Sequence, residues 1–200
     1  MDDHERHATT RRALLGATAA AGVASVAGCL NLFGGAEVPD PVTIEPGTAC
    51  DQCNMIIDRH PGPVGQSYYV DDAPSGLEDR EDGRANFCST WCMYSYTLDQ
   101  EQRGFEATGS YGTDYSAVEY DIGEDAGTLV IDPTPHLDAE AFTPVSELTF
   151  VVDSEVEGAM GSSLIGFSNS DDASAFADEY GGELVEHSEV SFELISALSS

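Results

Sequence analysis

Beyond residue 40 the apolar positions fall in short runs separated by polar and Gly/Pro-bearing stretches, a pattern of short strands with few helices. Strands are expected over residues 42–44, 55–58, 66–70, 85–88, 128–131, 147–152, 163–167 and 183–187. Helical spacing occupies residues 91–102, with Trp91, Tyr94 and Leu98 on one side and Ser89 or Thr90 as cap, and residues 171–180. His60-Pro61-Gly62-Pro63 marks a turn, residues 71–84 read as a polar loop, and Gly158-Ala159-Met160-Gly161 as a glycine-flanked connection.

The two helical segments have similar surroundings. Phe87-Cys88-Ser89 ahead of the first answers Phe167-Ser168-Asn169 ahead of the second. An α+β fold follows, built from two related ββα(β) halves, about 46–105 and 128–195, packed as one small domain over residues 46–195. Residues 105–142, rich in Gly, Tyr and Pro, carry a strand at 128–131 but no legible role.

The first 28 residues have the layout of an export signal: a polar start, Arg11-Arg12, then a run of small and apolar residues. Paired arginines ahead of an apolar stretch indicate twin-arginine export. The run is shorter and poorer in Leu and Ile than a membrane-spanning helix requires. Val26-Ala27-Gly28-Cys29 is similar to a lipobox, making Cys29 the candidate lipidation site and placing the domain, lipid-anchored, on the outer face of the cell membrane. Residues 29–45, with Gly34, Gly35, Pro39 and Pro41, read as a flexible tether.

Seven basic residues, all arginine, against 37 acidic ones give a net charge of −30. Such a surface repels nucleic-acid phosphate, so nucleic acid is excluded as a partner. Acids spread along the whole mature chain indicate adaptation to high salt, where screening within about 3 Å at 1 M relieves self-repulsion.

With Cys29 assigned to lipid, four of the five cysteines remain: Cys50 and Cys53 in a C-x2-C pair, Cys88 and Cys92 in a C-x3-C pair. Four thiols can form a disulfide framework, a tetrahedral zinc site or a redox pair. Met55 bears on the choice, because in an extended segment it projects to the same face as Cys53. Thiolate plus thioether is a soft donor set that suits Cu(I) better than zinc. Met160, between glycines, is poorly placed for a core and well placed to reach a ligand.

Taken together, Cys50-Asp51-Gln52-Cys53-Asn54-Met55, His60-Pro61-Gly62-Pro63, Ala159-Met160-Gly161, and 173–176 followed by Tyr180-Gly181-Gly182 resemble the NosL family of copper-binding accessory lipoproteins, in the family's order. The resemblance implies a monomeric chaperone, not an enzyme, that carries Cu(I) outside the membrane and delivers it to nitrous oxide reductase or its assembly machinery. By position it implies Cys53, Met55 and Met160 as copper ligands, with Cys50 as an additional thiolate; His60 either ligates or caps its turn. The family's glycine between the motif Cys and Met is Asn54 here, a residue that tolerates positive φ. Phe87-Cys88-Ser89 with Cys92 also resembles four-cysteine metal modules of the TRASH or YHS type. That leaves open a zinc or metal-sensing site of four thiolates and, as a third reading, a C-x2-C thiol oxidoreductase.

Overall fold

The computed structural model describes residues 36–131 and 136–199; the expected leader, the lipidation of Cys29 and the first part of the tether lie outside the described residues. The fold is α+β and follows the resemblance in outline, with three small sheets and three helices among the described residues.

The first sheet contains β1 (Gly65–Tyr68), β2 (Ala85–Phe87), β3 (Gly109–Thr113) and, after further strands, a short edge strand, Phe142–Pro144, in the order β2-β1-β3-edge. Helix α1 (Thr90–Gln102) joins β2 to β3. Strands β4 (Ile122–Asp125) and β5 (Thr128–Ile131) form a hairpin, and the edge strand of the first sheet is β6. A second sheet follows from β7 (Thr149–Val152), β9 (Ile165–Phe167) and β10 (Glu183–Glu186), with α2 (Ser170–Tyr180) joining β9 to β10. Strand β8 (Val156–Glu157) pairs in parallel with β5, and α3 (Phe192–Ala197) closes the chain's described part against α1.

The internal repeat is real in topology. In each half a central strand pairs antiparallel with the strand just before a helix on one side and with the strand just after that helix on the other: β2-β1-β3 and β9-β7-β10. The registers correspond, Gly65 opposing Phe87 and Thr149 opposing Phe167. Two residues beyond each phenylalanine stands the helix cap, Ser89 accepting from the Cys92 amide and Asn169 from the Asp171 amide.

Strand β7 is the spine of the molecule because both its faces are covered. Phe150 and Val152 belong to the apolar cluster around α1, whereas Val151 belongs to the cluster of Ile165, Phe167, Ala173 and Phe176 beneath α2. On the α1 side Tyr94 meets Phe150 edge-on with centroids 5.8 Å apart, and Trp91 on the same helix donates through Nε1 to the Ile195 carbonyl of α3 at 2.9 Å.

Three expectations need correction. Residues 42–44 form no strand: Gln66 supplies a side-chain acceptor and donor to Val42, at 3.1 and 2.8 Å, and the Ile44 amide makes a single bond to the Leu137 carbonyl at 2.8 Å. Residues 55–58 form no strand either: a single bridge between Ala49 and Ile56 is followed by a 3-10 turn, Ile57–Arg59. The tether ends earlier than residue 45. Tyr111 and Tyr68 donate their hydroxyls to the carbonyls of Pro39 and Asp40, Val38 lies directly over Gly109, and Ile44 is buried.

Candidate metal centre

The C-x2-C loop is a tight knuckle. The Cys50 amide donates to the Met55 carbonyl at 2.8 Å, the Asn54 amide to the Cys50 carbonyl at 2.8 Å, and the Ile57 amide to the Thr48 carbonyl at 2.9 Å. Closing so short a loop puts Asn54 at φ 64°, the left-handed region, where asparagine is tolerated better than most side chains.

Three links dock this knuckle on the first half. The Asp51 amide donates to the Asn86 carbonyl at 2.9 Å, and the Asn86 amide returns a bond to the Asp51 carboxylate at 2.8 Å. Arg80 grips the same carboxylate with both terminal nitrogens, at 2.6 and 2.7 Å. Gln52 reaches α1 by donating to the Ser95 hydroxyl at 3.3 Å.

Docking brings the two cysteine pairs together. Cys88 directly follows β2, and Cys92 lies in the first turn of α1, whose start is set by the Ser89 cap. The sulfurs of Cys50, Cys53, Cys88 and Cys92 all lie within 4.8 Å of one another, Cys53 to Cys88 at 3.4 Å and Cys88 to Cys92 at 3.8 Å. All four are free thiols. Cys50, Cys88 and Cys92 are buried and Cys53 is half-buried, which makes Cys53 the corner of the cluster nearest solvent.

Inside the cluster the thiols share charge unequally. The pKa of Cys50 is held far below the usual thiol value, chiefly by hydrogen bonding with Cys88 and then Cys92. Cys88 and Cys92 are correspondingly pushed up, chiefly by their bonds to Cys50. The cluster as a whole thus shares negative charge beside the positive end of α1. A cation is the ligand that such a nest of sulfurs can take, and it would displace the remaining protons.

This chain belongs to the NosL family. The family profile matches residues 41–195, most of the chain and all of its described sheets. A protein described as copper-binding lipoprotein NosL, from Stutzerimonas stutzeri, is 30% identical over 161 residues, spanning 80% of this chain and 71% of that protein. The crystal structure of the copper chaperone NosL from Shewanella denitrificans aligns with a TM-score of 0.58 at 26% identity, covering 78% of this chain and 98% of that one.

Within this NosL-family fold, the expected ligands fall into two groups. Cys50 and Cys53 lie in the sulfur cluster, joined by Cys88 and Cys92, whose partners the sequence left open. The signal for them was present: Phe87-Cys88-Ser89 and Cys92, at the end of a strand and the start of a helix. Met55 is half-buried and packs against the apolar cluster that contains Cys50, Cys88 and Cys92. Met160 is 41% exposed, on a turn closed by paired hydrogen bonds between Gly158 and Gly161. That turn backs onto the segment following the knuckle: a Cβ on Gly158 would lie 3.3 Å from the Gly62 carbonyl. His60 is half-buried at the end of the 3-10 turn, its amide donating to the Ile57 carbonyl at 3.2 Å.

Proposed function

We propose that this chain is a copper carrier rather than an enzyme: an exported lipoprotein, anchored through Cys29, that holds Cu(I) outside the membrane and passes it to nitrous oxide reductase or its assembly machinery. The observation that carries the reading is the cluster of four sulfurs with Cys53 as the corner nearest solvent. Thiolates are soft donors suited to Cu(I), and a corner near solvent lets an acceptor approach the metal before it leaves. Family membership and the names of both relatives support copper as the cargo. Cys50 and Cys53 are assigned as copper ligands with Met55 and Met160 as thioether donors, Met160 reaching in from the second half on its glycine-bounded turn.

One observation favours a second reading. Four thiolates on zinc at about 2.3 Å stand about 3.8 Å apart along a tetrahedral edge. The Cys88–Cys92 separation is 3.8 Å. In that reading the cluster is a structural zinc centre and loss of the ion unfolds the domain.

A delivery assay tests the carrier reading. The full chain, loaded anaerobically with Cu(I), is mixed with copper-free nitrous oxide reductase and separated, and copper is measured on each. Copper moving to the reductase faster than from a small-molecule Cu(I) complex of equal affinity is the expected result. Copper staying with the chain, or native preparations holding zinc that Cu(I) does not displace, would overturn it.

A further inference from the structure

The four sulfurs differ in access and in what holds them. Cys88 and Cys92 are fully buried, one fixed by the end of β2 and the other by the first turn of α1; Cys50 is 2% exposed and bonded at both its amide and its carbonyl within the knuckle. Cys53 is half-buried, next to the exposed Asn54, on the outer part of the loop. Moving the Cys53 sulfur requires only a side-chain rotation or a small shift of that loop. Moving Cys88 or Cys92 means disturbing a sheet edge or a helix cap.

We infer that the cluster divides its labour: Cys50, Cys88 and Cys92 retain the ion, and Cys53 is the sulfur through which it is exchanged. The inference rests on the copper-carrier reading and refines its ligand set, placing Cys88 and Cys92 on the ion in place of the Met55 and Met160 thioethers. Exchange is associative. The sulfur of an incoming thiol bonds to Cu(I) at the Cys53 corner, the bond from copper to the Cys53 sulfur breaks, and the incoming thiol's proton passes to that sulfur. Copper remains Cu(I) and no electron is transferred. Burial of the other three sulfurs keeps them from the acceptor until this first bond has formed.

The test uses the full chain loaded with an equimolar amount of Cu(I) under anaerobic conditions. Affinity is read by competition with a chromophoric Cu(I) chelator, and the transfer rate by stopped flow at increasing concentrations of a small thiol. Cys88→Ser and Cys92→Ser are expected to weaken binding by about a hundredfold or more, about 2.7 kcal/mol. Cys53→Ser should weaken it by less than about tenfold, about 1.4 kcal/mol, while the dependence of transfer rate on thiol concentration is lost.

Because a buried serine can perturb folding, the wild-type chain supplies a second readout. On alkylation of the copper-loaded protein, mass spectrometry should find the Cys53 peptide modified well before the other three. Equal loss of affinity in all cysteine variants, wild-type binding in Cys88→Ser and Cys92→Ser, or simultaneous alkylation of all four thiols would overturn the division of labour. A wild-type chain that takes up no Cu(I) would overturn the carrier reading itself.

Discussion

Asn54 occupies a position that only a few residue types fill without strain. At φ 64° an alanine would suffer the left-handed penalty of about 1–2 kcal/mol, whereas glycine would not. Asn54→Ala is therefore expected to lower stability by about 1 kcal/mol and Asn54→Gly to leave it nearly unchanged, as measured by denaturant unfolding of the two variants beside wild type. Within the knuckle, Asp51 joins it to β2 and to Arg80 through charge-assisted bonds. Asp51→Ala leaves the Asn86 amide without that acceptor and should cost about 1–3 kcal/mol.

His136 is a residue the sequence did not single out. It is fully buried, neither ring nitrogen has a hydrogen-bond partner among the described residues, and burial pushes its pKa down to about 4. Folding therefore favours the neutral ring: this contribution is fully present above the ordinary value near 6.5 and is lost as pH falls toward about 4. Between pH 7 and pH 5 it amounts to about 2 kcal/mol of lost stability. His136→Gln lacks that loss, so the wild-type-minus-variant difference in unfolding free energy should fall by about 2 kcal/mol between the two pH values; a difference that does not change with pH would exclude the assignment.

The helices and most paired strands were legible because each carries a cap or a dense apolar run: α1 starts one residue before the expected 91, and α2 one residue before 171. Strand β3 was not. Gly109-Ser110-Tyr111-Gly112-Thr113 has one large apolar side chain, because its glycines make room for neighbours, Val38 over Gly109 and the Leu148 Cδ1 at 3.3 Å from a Cβ on Gly112. A strand selected for close approach lacks the alternation by which strands are read. Helix α3 escaped because it is short and buries only Ile195. The 55–58 run misled for the opposite reason, Ile57 and Met55 being apolar for the core while the backbone follows the knuckle.

The β4–β5 hairpin turns at Ala126 and Gly127, both with positive φ, 51° and 93°, a geometry for which Asn-Gly is favoured. Ala126→Asn should raise stability by about 0.5–1 kcal/mol, seen as a higher denaturant midpoint with an unchanged slope.

Over the whole molecule, the charge of −30 sets the conditions under which the fold persists. As the Debye length falls from about 10 Å at 0.1 M salt to about 3 Å at 1 M, repulsion among the acids fades. The melting temperature of the chain should rise steeply over that range and change little beyond it; a flat salt dependence would show that the acidity is not a salt adaptation. The metal centre was half legible at this scale. Cys50 and Cys53 announce themselves by spacing, but that Cys88 and Cys92 meet them depends on Asp51 and Gln52 docking the knuckle onto β2 and α1, contacts between residues about 35 to 43 positions apart in the chain.

The most direct measurement of the central claim is an anaerobic Cu(I) competition titration of the full chain in molar salt, wild type beside the double variant Cys50→Ser/Cys53→Ser. Tight, saturable Cu(I) binding by the wild type, with the double variant weakened by at least about a hundredfold, about 2.7 kcal/mol, is the predicted result. Wild-type binding no tighter than that of the double variant would contradict the account.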